Sequence, residues 1–302
     1  MDQLNQVIFL DYHEDYAGLC NQLYLITNHI YEAYQKKTKI YINKINIDVF
    51  KNERIPAEDV FDFVKTNKNI NKLIGIDLIL YEKPLNFYIP ELCIYPVISI
   101  EFLNCLEFNE SIHRHIPKII DYNGIHFRLE IDVIVIYLFG KDTHKLFMDL
   151  CNTDMDSAIE FSIKLVKIPE VIEYIQFIMN QYFSFISEIG FSKIWYICTA
   201  IGKSKIHDPL IPFLKELQQF ILTNKGIPVV GDVYYIEREL NALVELLILR
   251  DSKKMIGFQG SSFSEGYAFK VNTIRNPYKE YRFVDGIVKC KVSLDTMLPL
   301  SL

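Results

Sequence analysis

Residues 123–130 read Asn-Gly-Ile-His-Phe-Arg-Leu-Glu, a short apolar stretch that predicts a β-strand ending in charged side chains. His126 and Arg128 stand two residues apart, so on a strand they would point to the same face. A strand that ends there delivers both side chains to the carboxyl edge of a sheet, where open α/β folds bind nucleotides. Arginine stays charged at any working pH, and its fork of donors suits a diphosphate. We therefore expect an anion site at this strand end.

Strand and helix patterns alternate on both sides of this stretch. Towards the amino terminus, an apolar run at 7–11, helical spacing from Leu19 and an apolar run at 39–42 predict strand, helix and strand. One further helix is predicted at 57–65. Towards the carboxyl terminus the predicted strands are 195–199, 227–230 and 255–258, and the predicted helices are 156–186 (interrupted at Pro169), 210–222 and 235–249. This alternation predicts an α/β fold with parallel, doubly wound sheets.

Length and pattern together favour two lobes. A chain of 302 residues suffices for one large or two medium domains. A boundary near residue 120 divides it into residues 1–120 and 121–302. A cleft between two such lobes is the default place for a ligand.

Composition narrows the classes of protein and partner. The net charge of −6 argues against a surface that binds nucleic acid. No segment approaches the roughly 20 apolar residues that span a bilayer, and residues 1–30 lack the apolar core of a signal peptide. The 6 cysteines lie far apart, which favours buried thiols in a reducing compartment. We therefore expect a cytoplasmic protein with no membrane span and no nucleic-acid partner.

Two further segments could hold an anion. Gly18-Leu19-Cys20-Asn21-Gln22 opens a predicted helix, whose first N–H groups and positive dipole end suit a phosphate. Gly260-Ser261-Ser262-Phe263-Ser264 follows a predicted strand, and its hydroxyls and amides could hold phosphate oxygens. Both segments are also typical of ordinary helix starts, where glycine turns and serine caps are common.

The pair of His126 and Arg128 has an ordinary interpretation too. A lone histidine in an apolar run is more often a satisfied core residue than a ligand contact. Arg128 could simply pair with Glu130 or Asp132.

In their order and spacing, these segments resemble the GDP-fucose-using fucosyltransferases of the protein O-fucosyltransferase superfamily, including the related plant rhamnosyltransferases. Those enzymes carry a Gly-x-x-Asn loop after the first strand, a His-x-Arg strand opening the second lobe and a Ser-Ser-Phe segment near the end. The matching stretches here are 18–22, 126–128 and 261–264. The resemblance implies a GT-B fold, with an acceptor-side lobe at 1–120 and a nucleotide-sugar lobe at 121–302.

The resemblance also implies an activity, which is metal-independent transfer of fucose from GDP-fucose to a hydroxyl, with inversion at the anomeric carbon. Glu245 stands where the animal enzymes have an acidic residue that reads guanine, and a carboxylate can accept from both the N1–H and N2–H groups of that base. Arg128 would neutralise charge on the leaving diphosphate. The residues assigned in this way to donor binding are Gly18, Asn21, His126, Arg128, Glu245, Ser261, Ser262 and Phe263.

The acceptor hydroxyl needs a group that takes its proton. Some relatives place a glutamate just before the glycine of the first loop, and this chain has Glu14 and Asp15 there. We predict that one of these carboxylates is the catalytic base, with Asp15 preferred; a solvated acidic loop is the alternative. The acceptor itself, a glycan or a protein, is not readable from the sequence.

Two other functions stay open. The run Arg128-x-Glu130-x-Asp132 looks like the plant branch, which makes a rhamnosyltransferase with a nucleotide-activated rhamnose the alternative enzyme. A relative that binds nucleotide or glycan without catalysis is the alternative outside the enzymes.

One short run of the sequence fits a metal-binding motif. Asp154-Met155-Asp156 fits the Asp-x-Asp pattern with which other glycosyltransferases hold a divalent metal. It precedes Ser157 and a helical run, so an acidic helix start is the favoured interpretation. Because the resemblance points to metal-independent enzymes, we expect no metal and no cofactor besides the donor substrate.

Overall fold

The computed structural model describes residues 7–11, 18–48, 53–89, 100–189, 194–235, 237–258, 261–268, 271 and 281–284. The chain divides into two units. The first comprises the described residues of Met1–Lys118, Val233–Arg250 and Glu265–Pro277, and the second those of Ile119–Asp232, Asp251–Ser264 and Tyr278–Leu302. The described residues of 233–250 and 265–277, which the predicted boundaries assign to the C-terminal lobe, group with the first unit.

The first unit is built on a mixed sheet. Its strands are β1 (Val7–Asp11), β2 (Ile40–Asp48), β3 (Glu53–Pro56) and β4 (Phe87–Tyr88). Their order is β3-β2-β1-β4, in which β1 runs parallel to β2 and β4, and β3 is antiparallel to β2. The helices that precede residue 119 are α1 (Leu19–Gln35), α2 (Phe63–Ile74), α3 (Ile100–Cys105) and α4 (Glu110–His113).

The start of this unit follows the predicted pattern. β1 and α1 form where the apolar run and the helical spacing indicate, because Leu23, Ile26 and Ile30 recur on one face of α1 and are fully buried. The helix predicted at 57–65 is wrong. Residues Ala57–Asp59 form one 3₁₀ turn. The helix begins at Phe63 because the Asp62 side chain caps it, accepting from Lys65 N at 2.9 Å.

The second unit is built on a wholly parallel sheet. Its strands are β5 (Tyr122–His126), β6 (Ile194–Cys198), β7 (Ile227–Val230), β8 (Met255–Phe258) and β9 (Tyr281–Val284). Its helices are α5 (Ile131–Phe139), α6 (Lys141–Thr153), α7 (Met155–Leu165), α8 (Pro169–Ile189) and α9 (Ile211–Thr223). The predicted parallel sheet with intervening helices is confirmed for this unit.

The strand order of the second unit, β7-β6-β5-β8-β9, contains one reversal. From β5 the chain moves outward through β6 to β7, and then returns to place β8 on the other side of β5. In open α/β sheets, ligands bind at such a switch point, outside the carboxyl ends of the two central strands. In this sheet those ends are His126 of β5 and Phe258 of β8.

Two remaining features complete the fold. Helix α10 (Arg238–Asp251) belongs to the first unit up to Arg250 and is buried on most of its surface. Asp154 caps α7 by accepting from Ser157 N at 3.1 Å, which confirms the helix-start interpretation of the Asp-x-Asp run. Among the described residues, no helix is both long enough and apolar enough to cross a membrane.

Candidate functional site

The switch point of the second unit brings two of the sequence motifs together. β5 and β8 are neighbours in the sheet, so the chain that leaves each strand emerges at the same edge. The rings of His126 and Phe263 contact each other there, with centroids 4.7 Å apart. Segments 126–128 and 261–264, separated by more than a hundred residues in the sequence, therefore lie side by side.

The segment after β8 is held by a serine. The Oγ of Ser264 accepts from Phe258 N at 3.0 Å and donates to Phe258 O at 3.1 Å. Ser261 N also donates to Phe258 O, at 3.2 Å. The hydroxyl of Ser264 is thus committed to the backbone, and it closes the turn that presents Ser261 and Phe263. Ser262 is exposed, and Gly260 lies outside the described residues.

His126 is buried at the end of β5, with 5% of its surface exposed. Burial, and to a lesser extent the charge of Arg128, hold the pKa of His126 well below its ordinary value. The ring is therefore neutral at physiological pH and offers one donor and one acceptor nitrogen. Its Nδ1 is buried and has no hydrogen-bond partner among the described residues.

Ser261 repeats this situation on the neighbouring segment. Its side chain is 7% exposed, and within the described part of the chain its buried Oγ has no hydrogen-bond partner. Leaving a buried polar group unsatisfied costs about 1 to 3 kcal/mol, so native proteins seldom do so without a reason. Two such atoms, Nδ1 of His126 and Oγ of Ser261, flank one switch point. Polar atoms of a ligand are one kind of partner that such groups can take.

Arg128 supplies a charge that acts on His126. Its side chain is 30% exposed, and Nη2 lies 3.9 Å from Oε2 of Glu130. The backbone is held by Tyr182 of α8, whose hydroxyl accepts from Arg128 N at 3.2 Å and donates to His126 O at 2.7 Å. A partly exposed guanidinium on a fixed backbone is suited to bind an anion.

The prediction that one strand carries both side chains is wrong. β5 ends at His126, and its last sheet bond beyond that point runs from Phe127 N to Cys198 O at 2.9 Å. Arg128 N then turns back to His126 O at 3.0 Å and to Tyr182. Arg128 and Glu130 therefore lie on the connection to α5, and tertiary hydrogen bonds, not the two-residue strand period, set the direction of Arg128.

A group of possible metal ligands lies next to Arg128. Glu130, Asp132 and His207 each offer one ligand atom, and these three atoms lie within 4.8 Å of one another. His207 belongs to the 3₁₀ segment Lys205–Leu210 that follows β6, and its Nδ1 accepts from Ile131 N at 3.2 Å. Nothing in the sequence around His207 marks it, since it is 77 residues from Glu130.

In the first unit, a carboxylate of the protein itself, that of Glu239, lies at the predicted anion site at the start of α1. Leu19 N donates to Oε2 of Glu239 at 2.6 Å, and burial raises the pKa of Glu239. A carboxylate is favoured at this positive end of a helix. Asn21 is exposed, and its backbone N donates to Gly18 O at 2.9 Å. Sequence reasoning missed Glu239 because it lies 220 residues from Leu19.

Three further predicted residues are the guanine-reading Glu245 and the two candidate bases. Glu245 lies on α10, with 8% of its surface exposed. The two candidate bases, Glu14 and Asp15, lie outside the described residues.

Comparison with known proteins gives a fold. No protein-family model matches the sequence, and no curated protein is similar to it. Among solved structures, the chain is similar to POFUT1 in complex with GDP, with a TM-score of 0.52 at 11% identity over 94% of this chain and 99% of that chain. The fold is that of POFUT1.

Two other POFUT1 structures are similar at lower scores. The complex of POFUT1 with GDP-fucose has a TM-score of 0.49 at 12% identity, and the apo-form of POFUT1 has 0.48 at 11%; each covers 95% of this chain and 99% of that chain. At these identities the likeness to POFUT1 concerns the fold alone.

Proposed function

We propose that this chain is a glycosyltransferase whose nucleotide-sugar donor binds at the ends of β5 and β8. The observation that carries the proposal is the pair of buried atoms without partners among the described residues, Nδ1 of His126 and Oγ of Ser261, together with the charge of Arg128, which acts on His126 and lowers its pKa. A diphosphate offers acceptor oxygens to Ser261 and Arg128. The POFUT1 structure with this fold is a complex with GDP, which supports a guanine nucleotide.

The donor in this proposal is GDP-fucose, and the two units are the two lobes of a GT-B enzyme that needs no metal. Without a metal, negative charge on the leaving diphosphate must be balanced by protein groups. Arg128 meets this need because it stays protonated at any working pH. Neutral His126 and the hydroxyl of Ser261 add hydrogen bonds without adding charge.

The reaction in this proposal is a single displacement. The acceptor hydroxyl oxygen forms a bond to the anomeric carbon while the bond from that carbon to the diphosphate oxygen breaks, so the configuration inverts. The electron pair leaves with GDP, where Arg128 stabilises it, and the hydroxyl proton passes to a base. Asp15 or Glu14 remains the predicted base, and a loss of turnover in Asp15→Asn or Glu14→Gln would identify it. Unchanged rates in both variants would remove the carboxylate base from the mechanism.

Nucleotide binding is the first test. A ligand that binds the folded state raises its melting temperature by mass action, so GDP should stabilise the protein more than UDP or ADP at equal concentration. A preference for UDP would contradict a fucose donor and favour the rhamnosyltransferase. No stabilisation by any of the three would contradict the proposal as a whole.

Turnover is the second test. Hydrolysis of GDP-fucose in the presence of EDTA should occur without an acceptor and should fall about 100-fold or more in Arg128→Ala, the loss expected for a group that stabilises developing charge. Arg114→Ala removes the same charge from an exposed position and serves as the control. GDP binding without any hydrolysis or transfer would favour a binding protein, and full activity of Arg128→Ala would exclude the proposed role of Arg128.

A further inference from the structure

His207 is buried against the connection that carries Arg128. Its surface is 8% exposed, and its Nδ1 accepts from the N–H of Ile131 at 3.2 Å. Ile131 directly follows Glu130 and opens α5. A ring nitrogen of His207 and carboxylate oxygens of Glu130 and Asp132 also lie within 4.8 Å of one another. The imidazole therefore touches the backbone next to Glu130 and borders both carboxylates.

The electrostatics of this cluster do not suit a cation. The carboxylates stand at the start of α5, where the helix dipole is positive, and Arg128 already lies 3.9 Å from Glu130. Because Nδ1 of His207 uses its lone pair for Ile131 N–H, a neutral ring carries its proton on Nε2. Neither ring nitrogen then has a lone pair for a metal. The cluster is better described as an imidazole that borders two carboxylates and binds the backbone between them.

We propose that His207 is a positioning residue for Arg128, acting through Glu130. His207 anchors the peptide group between Glu130 and Ile131, and this anchor fixes the direction in which the Glu130 carboxylate meets the guanidinium. Tyr182 of α8 holds the backbone of Arg128. In this proposal His207 adds a second constraint, which acts through Glu130 on the side chain of Arg128. The proposal rests on the proposed function, since it concerns the group that is to stabilise the leaving diphosphate.

Substitutions at His207 separate positioning from simple packing. His207→Leu removes the acceptor for Ile131 N–H, and GDP-fucose hydrolysis should lose about tenfold or more in kcat with KM within about threefold, as expected for a displaced catalytic group. His207→Asn keeps an acceptor oxygen near the position of Nδ1 and should recover most of that loss. His29→Leu is the matched control, because His29 is a buried histidine whose Nδ1 lies 2.8 Å from Glu32; its kcat should stay at the wild-type value.

A double-mutant cycle tests the route of the effect. In a Glu130→Gln background, His207→Leu should change kcat by less than about twofold, because the group through which it acts is already altered. An equal loss in both backgrounds would show that His207 does not act through Glu130. A folded His207→Leu variant with wild-type kcat would overturn the proposal, as would a His207→Asn variant as impaired as His207→Leu.

An NMR experiment on the nucleotide-free protein keeps this inference separable from the proposed function. The Arg128 Nε–H resonance, assigned from its absence in Arg128→Lys, should be sharp in wild type and His207→Asn and lost to solvent exchange in His207→Leu. If wild type binds no GDP, the proposed function fails, and this comparison still decides the role of His207. If wild type binds GDP and the Arg128 resonance is unchanged in His207→Leu, the proposed function stands and the inference is wrong.

Discussion

The hydroxyl of Tyr182 lies 2.7 Å from the carbonyl oxygen of His126 and donates a hydrogen bond to it. The same hydroxyl accepts from the backbone N–H of Arg128 at 3.2 Å. Burial raises the pKa of Tyr182, so the hydroxyl keeps its proton and performs both tasks. One side chain of α8 thus sets where β5 stops and where the chain turns towards Arg128.

Removing this hydroxyl should destabilise the protein. Tyr182→Phe keeps the ring contact with Phe127 but leaves His126 O and Arg128 N without the bridge, at a cost of about 1 to 3 kcal/mol in the free energy of unfolding. Urea unfolding measures this value. Tyr174→Phe on the same helix is the control, because within the described residues the Tyr174 hydroxyl has no hydrogen-bond partner. Equal effects of the two substitutions would contradict the bridging role.

Ser261 and Ser264, which both follow β8, should respond to substitution in different ways. Ser261→Ala removes a buried hydroxyl without a partner among the described residues, so the free protein should lose no stability while GDP affinity falls about tenfold. Ser264→Ala breaks both bonds to Phe258 and should lower the melting temperature. Calorimetric melting and GDP titration of both variants give the comparison. Unchanged GDP affinity in Ser261→Ala would place the donor elsewhere.

The stability of the protein should depend on pH through His126. Burial, followed by the charge of Arg128, lowers the pKa of His126 in the folded state, so below about pH 6.5 the unfolded chain takes up a proton that the folded chain does not. The stability that neutral, buried His126 contributes to the folded state is fully present above that pH. It is lost as the pH falls towards the pKa of His126 in the folded state. The unfolding free energy of His126→Gln, relative to that of wild type, should therefore rise as the pH falls from about 7 to about 5. A difference in unfolding free energy that stays constant over this range would refute the assignment.

Glu239 should give a pH dependence of the opposite sign. Burial raises its pKa in the folded state, so as the pH rises above about 4.5 the unfolded chain gives up its proton before the folded chain does, and stability falls. Glu239→Gln can still accept from Leu19 N and carries no charge to bury. Its melting temperature relative to wild type should rise between about pH 4 and pH 7. No such rise would mean that the buried carboxylate is stabilised as an anion.

Glu245 can be tested with a base analogue. If its carboxylate accepts from the N1–H and N2–H groups of guanine, wild type should prefer GDP to IDP, which lacks the N2 amino group, by about tenfold or more. Glu245→Gln should lose most of that preference, whereas the exposed Glu216→Gln should keep it. Isothermal titration with both nucleotides measures the ratio. Equal GDP and IDP affinities in wild type would exclude this role for Glu245.

Local pattern predicted the elements that their own residues specify. β7 and β8 form at the predicted residues, and α1 begins at Leu19, because short apolar runs and helical spacing express preferences of neighbouring residues. The helices α5 and α6 were not predicted. For α5 the reason is that the helix is apolar on nearly all sides and therefore shows no apolar stripe at helical spacing. The helix predicted at 57–65 fails for a different reason, since the side chain of Asp62 caps a helix that begins only at Phe63.

The sequence by itself determined the α/β class, most strands of the second unit and the motif residues His126, Arg128 and Ser261, because these depend on spacing within a few positions. Only the tertiary structure decided that β8 lies beside β5, which places Ser261 next to His126. It also supplied Tyr182, His207 and Glu239, which reach their partners across 54 to 220 residues. Such contacts depend on the order of strands in the sheet and on the helix that covers each strand end. No local preference encodes them.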